Sequence, residues 1–376
     1  MAHILPPAML GILGGGQLGR MFAMAARSMG YRVTVLDPDI QSPAGSVADR
    51  HIRAAYDDEG ALEDLASGCA AVTTEFENVP ADSLRFLESR TRVSPSSACV
   101  AIAQDRILEK RYIAGAGLAV APFLAVDAPQ DLAGDLAPLL PGILKTARFG
   151  YDGKGQVRVA TPEDVHGAFE ALGCRPCVLE KRLDLETEIS VIVARTSAEF
   201  VRTFPVAENR HEAGILDVSI VPARVTPDIA ARACEMACAL AEAMDYIGVL
   251  AVEFFVLEEG GLVINEIAPR PHNSGHYTLD ACGVSQFGQQ VRTLCGLPPA
   301  DTRLLSPVVM VNLLGDIWRD DEPAWDLVLS EPAAVLHLYG KASARAGRKM
   351  GHFNVLAETV DAALEKAEAL KRALRR

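Results

Sequence analysis

The chain has 376 residues with 36 Lys and Arg against 49 Asp and Glu, a formal net charge of −13. Hydrophobic residues make up 49% and charged ones 23%, which fits a soluble globular protein of two or three domains. The acidic balance argues against a nucleic-acid partner, because phosphate-backbone binding wants a basic face. No apolar run approaches the ~20 residues of a membrane span, and Met1 to Pro7 has neither the basic nor the apolar region of a signal peptide. A cytoplasmic location with no membrane partner is expected. Eight scattered Cys suit a reducing compartment.

In chain order, Met9–Leu13 reads as a buried strand, Gly14 to Gly19 as a glycine turn, Arg20–Met29 as a helix and Tyr31–Leu36 as a second strand ending at Asp37. This βαβ unit has the form of a dinucleotide fingerprint, G-x-G-x-x-G with an acid about twenty residues on. It shows that backbone can approach a ligand at a helix N-terminus, without identifying that ligand. A further strand, Ala70–Thr74, ends at Glu75, where a side chain can reach a ligand or simply close a turn.

Between Leu118 and Ala194 short strands are punctuated by Pro and Gly. Lys145 falls on a strand, followed by the loop Gly150-Tyr151-Asp152-Gly153-Lys154-Gly155-Gln156. Backbone N–H groups and Lys in such a loop can fold over phosphates, although an ordinary hairpin has the same composition. It is not a Walker loop, since Gly155 follows Gly153-Lys154. Cys174 and Cys177 have redox spacing but follow a helix end, whereas a redox thiol wants a helix N-terminus; Cys234 and Cys238 read as core. Glu180-Lys181-Arg182-Leu183, with Glu188 beyond, reads as a strand edge whose backbone could contact an adenine while the acid holds ribose hydroxyls.

Glu253 and Glu266 lie in apolar segments, Leu250–Leu257 and Leu262–Ile267, joined by Glu258-Glu259-Gly260-Gly261. A hairpin there sets the two carboxylates side by side. Buried charge needs compensation, and Mg²⁺ shared with substrate phosphates would supply it; the alternative is an amphipathic hairpin with its acids in solvent. The following Asn265-Glu266-Ile267-Ala268-Pro269-Arg270-Pro271-His272-Asn273-Ser274-Gly275-His276 favours the site. Near the C-terminus, Lys341 to Lys349 is the markedly basic patch of an acidic chain, suited to a small anion or to a solvated turn.

Lysine on a strand, a glycine-rich lid, E-K-R-L and two hairpin carboxylates, in that order, resemble the ATP-grasp superfamily. G-G-G-Q-L-G-R, G-Y-D-G-K-G-Q, N-E-I-A-P-R-P-H-N-S-G-H and G-R-K-M-G-H narrow the resemblance to the N5-carboxyaminoimidazole ribonucleotide synthetases of purine biosynthesis, from Gly14 to His352. The fold implied combines α/β and α+β parts: a Rossmann-like unit over 1–105, a lid over 106–195, a catalytic unit over 196–300 and its C-terminal part over 301–376.

The resemblance implies that Arg106, Lys145, Gly150 to Gln156, Glu180 to Leu183, Glu188, His211, Asn265 and Glu266 bind ATP. Glu253 and Glu266 would hold Mg²⁺ or Mn²⁺. Many ATP-grasp enzymes place an Asn two residues after the second Glu, where this chain has Ala268. Arg270, His272 and Asn273 would serve bicarbonate phosphorylation. Gln17, Glu75, Tyr151 and Asp152 would touch the ribonucleotide, and Lys341, Arg348 and Lys349 its phosphate. Asp152 is the candidate base, with His272 as the alternative. A homodimer is implied, and biotin is not. Three other readings remain open at this point: a formate-dependent glycinamide ribonucleotide transformylase, a nicotinamide-dependent oxidoreductase, and a non-catalytic nucleotide-binding regulator.

Overall fold

Three sheets organise the molecule in a computed structural model that describes residues 2–150, 155–258, 260–318 and 321–375. The first contains β1 (Met9–Leu13), β2 (Arg32–Leu36), β3 (Arg50–Ile52), β4 (Ala71–Thr74) and β5 (Arg92–Val93). Their order is β3-β2-β1-β4-β5 and every pairing is parallel. Such sheets are covered on both faces, which is why Leu10, Ile12, Val33 and Val35 form near-continuous apolar strands. The chain reverses direction of growth at β1, so the crevice beyond β1 and β4 receives Gly14 on one side and Glu75 on the other.

The second sheet is antiparallel: β6 (Phe123–Val126), β7 (Gly142–Thr146), β8 (Gln156–Val159) and β9 (Cys177–Lys181), in the order β6-β9-β7-β8. The helix Pro162–Ala171 starts with a capping box from Thr161 and Asp164 and buries Val165, Ala168 and Phe169 against Leu144 and Leu179. Strand β9 is interior, so the expectation of a strand edge at Glu180 to Leu183 is corrected. The N–H groups of Lys181 and Arg182 donate to the Pro122 and Pro141 carbonyls, each at 2.9 Å. Two proline-bearing segments therefore take the Lys181 and Arg182 N–H groups of that run.

The third sheet holds β10 (Leu185–Arg195), β11 (Val201–Thr203), β12 (Ala207–Glu212), β13 (Ile215–Val221), β14 (Gly248–Leu257), β15 (Leu262–Ala268), β16 (Val308–Leu314), β17 (Ala334–Leu338) and β18 (Lys349–Leu356). It runs β15-β14-β10-β12-β13-β16-β18-β17, with β11 beside β10. Leu185–Arg195, at the end of the segment expected to form the lid, pairs along β14 and belongs to this sheet. The helix Pro227–Ala243 covers one part through Ile229, Ala233, Ala237 and Leu240, and Val360–Leu374 covers the C-terminal part. One hydrogen-bonded sheet thus joins the carboxylate hairpin to the C-terminal strands.

The helix Arg106–Gly115 connects the two antiparallel sheets. Asp105 caps it by accepting from the N–H groups of Ile107 and Leu108. Ile107 packs with Ala147 and Val178, while Ile113 packs into the core containing Leu262 and Ile264. Helical spacing then turns Arg106, Glu109 and Lys110 toward the seam between the sheets.

Candidate active site

The glycine turn answers one open question directly. The helix Gln17–Ser28 begins at Gly16 without a side-chain cap, yet its first N–H groups are taken. Glu75 accepts from Gly16 and Gly19, each at 2.6 Å, and Asp37 accepts from Gly15 at 2.6 Å and from the Tyr56 hydroxyl at 2.6 Å. A Cβ at Gly14, whose φ is +103°, would overlap the Glu75 side chain. The anion position at this helix N-terminus is therefore filled by carboxylates of the chain itself. A dinucleotide pyrophosphate would have to displace buried Glu75, which removes the support for a nicotinamide-dependent oxidoreductase. Burial pushes the Glu75 carboxyl up to about 7, against the two glycine N–H groups, with Asp37 raising it further and Lys341 lowering it. Gln17, the first helical residue, is half-buried beside this turn.

At the seam, Glu253 and Glu266 are direct cross-strand partners, with a register shift after Glu253. The Arg106 guanidinium donates to Glu266 Oε2 at 2.8 Å and to the Gly150 carbonyl at 3.3 Å. Burial and the Glu266 charge push Glu253 upward, whereas Arg106 and Lys145 hold Glu266 down against its own burial. The protein around the pair thus favours one ionised carboxylate and leaves a second charge without compensation. Asn265 Oδ1 between them is buried with no hydrogen-bond partner. Among the described residues no group of three or more His, Cys, Asp and Glu is arranged to hold a metal. Two carboxylates plus substrate phosphate oxygens are nevertheless what Mg²⁺ commonly takes.

Beyond the carboxylates, Lys145 and Lys110 both reach Glu180 Oε2, at 3.0 and 3.2 Å, and the other Glu180 oxygen is buried without a partner. Lys110 also donates to the Asn265 carbonyl at 3.3 Å. Glu188 pairs with His211 Nδ1 at 2.9 Å; burial works against the imidazolium, but the Glu188 hydrogen bond and the charges of Glu188, Glu253 and Glu266 together outweigh it and raise the His211 pKa. On the opposite side, Arg270 donates to Glu77 at 2.5 Å, tying the hairpin's tail to the loop after β4. His272 Nε2 lies 3.1 Å from Glu253 Oε1. Burial, Arg270 and Lys349 bring the His272 pKa down to about 3.

Asn273 is turned away from this cluster. Its amide exchanges hydrogen bonds with Asn312 on β16 at 2.9 and 2.7 Å, so it holds the loop to the sheet. In the basic patch, Lys341 donates to the Lys349 carbonyl at 2.6 Å, and Arg348 to Ser343 at 2.7 and 3.1 Å. Lys341 acts on Glu75, and Lys349 on Glu253 and His272. Lys341 and Lys349 therefore lie toward the crevice between the first and third sheets, while Gly347 is held by Asp316. Tyr151, Asp152, Gly153 and Lys154 lie outside the described residues; Gly150, Gly155 and Gln156 flank them, and a Cβ at Gly155, whose φ is +71°, would overlap the Thr146 hydroxyl.

Three family models cover the chain. Residues 8–104 match the ribonucleotide synthetase preATP-grasp domain, 111–287 the ATP-grasp domain and 308–366 the phosphoribosylaminoimidazole carboxylase C-terminal domain. The N5-carboxyaminoimidazole ribonucleotide synthase of Brucella melitensis is 47% identical over 350 residues, 92% of this chain and 96% of its own. The chain belongs to the N5-carboxyaminoimidazole ribonucleotide synthase family. The Bacillus subtilis synthase is 45% identical over 361 residues, covering 95% of this chain and 94% of its own. Among solved structures, an ADP complex of an N5-carboxyaminoimidazole ribonucleotide synthetase superposes with a TM-score of 0.92 at 46% identity, over 99% of this chain and 98% of that one. The Aspergillus clavatus synthase with ADP and 5-aminoimidazole ribonucleotide gives 0.89 at 34%, over 98% of each chain.

Set against this synthase fold, the seam contains three residues that the sequence reading passed over. Glu109 is buried and accepts from the Ile267 N–H at 2.6 Å; burial carries it to about 8, against the pull of Arg106. Lys110 shares Glu180 with Lys145, and Glu77 holds Arg270. For Glu109 and Lys110 the available signal was their i+3 and i+4 spacing from Arg106. Glu77 had the same signal as Glu75, a carboxylate just past a parallel strand.

Proposed function

We propose that the chain catalyses the ATP-dependent carboxylation of 5-aminoimidazole ribonucleotide by bicarbonate, giving N5-carboxyaminoimidazole ribonucleotide, ADP and phosphate in purine biosynthesis. The observation that carries this reading is the direct pairing of Glu253 with Glu266, flanked by Arg106, Lys145 and Arg270, in a chain 47% identical to a named synthase. A second carboxylate charge that the protein does not compensate and the unpartnered Asn265 oxygen fit Mg²⁺ held by Glu253 and Glu266. When bound, Mg²⁺ would neutralise charge on the transferring phosphoryl group. A homodimer in the cytoplasm accompanies this reading.

Bicarbonate is a poor electrophile until it is activated. One of its oxygens attacks the γ-phosphorus of ATP, the bond to ADP breaks, and carboxyphosphate results. Arg106, Lys145 and Arg270 would lower the cost of that charge redistribution. The exocyclic amine then attacks the carboxyl carbon, and phosphate leaves with the former bicarbonate oxygen. Asp152 would take the amine proton. Gln17, Glu75 and Tyr151 would receive the ribonucleotide, and Lys341, Arg348 and Lys349 its phosphate. Water would destroy the intermediate, so the site must exclude water while it exists.

The test uses ¹⁸O-labelled bicarbonate together with omission of each substrate in turn. The expected result is ADP release that requires both the ribonucleotide and bicarbonate, and phosphate carrying one labelled oxygen. Unlabelled phosphate would overturn the carboxyphosphate step, and ribonucleotide-independent ADP release would overturn the coupling.

A further inference from the structure

A row of buried, uncharged polar side chains crosses the large sheet where apolar residues would be expected. Ser219 on β13 faces Asn209 on β12, and Ser190 on β10 faces Glu253 on β14. Ser190, Asn209, Ser219 and Ser274 are each at most 5% exposed. Burying four such groups is costly unless each is bonded, and here the bonds form a single file. The Ser219 hydroxyl donates to Asn209 Oδ1 at 2.8 Å, and Asn209 Nδ2 donates to Ser190 Oγ at 2.9 Å. The Ser190 hydroxyl donates to Ser274 Oγ at 2.7 Å, and Ser274 Oγ lies 2.9 Å from His272 Nδ1. The Ser274 backbone N–H, which can only donate, also points at His272 Nδ1, at 3.3 Å.

Direction follows from the donors. The amide of Asn209 fixes the sense of the first two links, which leaves Ser190 its proton for Ser274 and Ser274 its proton for His272. Nδ1 must then be an acceptor, and the imidazole proton sits on Nε2, toward Glu253 Oε1 at 3.1 Å. We infer that Ser219, Asn209, Ser190 and Ser274 are positioning residues that commit His272 to the Nε2–H tautomer, making it a hydrogen-bond donor to Glu253 and the reacting groups. It follows that His272 is not the base that takes the amine proton. A histidine that orients a ligating carboxylate in this way acts on the carboxylate's geometry and charge. The inference rests on the proposed carboxylation for its catalytic meaning, while the tautomer stands on hydrogen bonding alone.

The experiment records the imidazole ¹⁵N spectrum of the full chain labelled at histidine, with the His272 signals assigned by their loss in His272→Asn. The expected wild-type pattern has an unprotonated Nδ1 and a protonated Nε2. Ser190→Ala, two links from the ring, should admit the other tautomer and lower kcat about tenfold, near the worth of one hydrogen bond, with KM for ATP unchanged. Ser190→Thr, which keeps the hydroxyl, should restore both. A wild-type ring protonated at Nδ1 would overturn the inference even if no variant folded. So would a Ser190→Ala protein with unaltered tautomer and kcat. If the carboxylation reading fails, ribonucleotide-dependent ADP release is absent from the wild type, and the spectrum still decides the tautomer.

Discussion

Glu266→Gln keeps the shape of the side chain and removes one charge from the pair, while Arg106 keeps an oxygen to bond. Turnover should fall by ~10² or more through lost cation clamping. The check is steady-state ADP release across a Mg²⁺ titration, and near-normal rates at ordinary Mg²⁺ would remove Glu266 as a ligand. Lys341→Ala and Arg348→Ala should each weaken ribonucleotide binding by about 1.5–3 kcal/mol, the range for charge-assisted bonds, and leave the ATP KM nearly unchanged. Equal weakening of both substrates would indicate a folding defect instead. Glu109 gives a pH signature. Its folded pKa is raised from 4.5 to about 8, so the folded state binds more protons than the unfolded state between those values. Stability contributed by the protonated group is therefore full at low pH and declines as pH rises through that window, on the order of 1 kcal/mol per pH unit. Glu109→Gln cannot ionise, so its melting temperature should rise relative to wild type as pH goes from 5 to 8. A constant difference would contradict the shift.

At the level of elements, the glycine turn and the strand Ala71–Thr74 are one unit, because Glu75 is the cap that the helix Gln17–Ser28 lacks. Gly14→Ala combines an unfavourable backbone with overlap on Glu75 and should cost about 2 kcal/mol or more by chemical denaturation. Wild-type protein should show no NADH fluorescence change, and a saturable change would reopen the oxidoreductase reading. This turn shows how far the sequence could be read. The pattern G-x-G-x-x-G predicted a helix N-terminus approached by a ligand, and the helix is there. The occupant is Glu75, fifty-six residues from Gly19, and nothing local to the turn announces it. The carboxylate hairpin was legible for the opposite reason: Glu253 and Glu266 are joined by a short glycine turn, so sequence distance fixes their pairing. Asn209, Ser190 and Ser219 were not legible, since cross-strand neighbours depend on a register set by distant strands. The strand edge expected at Glu180 failed in the same way, because Pro122 and Pro141 close it from elsewhere.

For the whole molecule, ligand discrimination should appear as stabilisation. A ligand that binds only the folded chain contributes RT ln(1 + [L]/Kd), about 2.7 kcal/mol at a hundredfold excess over Kd. ATP with Mg²⁺ should raise the thermal midpoint by an amount that grows with concentration, and Glu266→Gln should blunt the rise. NADH should leave it unchanged. A shift with NADH equal to that with ATP would contradict both the filled glycine turn and the nucleotide site at the seam.

The third sheet runs without interruption from the strand of Glu266 to the strand that begins at Lys349. Its hydrogen bonds make Glu253, Glu266 and Lys349, the proposed metal and phosphate contacts, marks on a single ruler. The smaller sheet carrying Lys145 and Glu180 meets this sheet through the helix Arg106–Gly115, whose Ile107 and Ile113 pack into the two cores. Substrate length would then be gauged by positions fixed within one sheet. A ribonucleotide analogue with its phosphate set one methylene farther out should meet the ruler out of step and lose affinity even where ATP still binds.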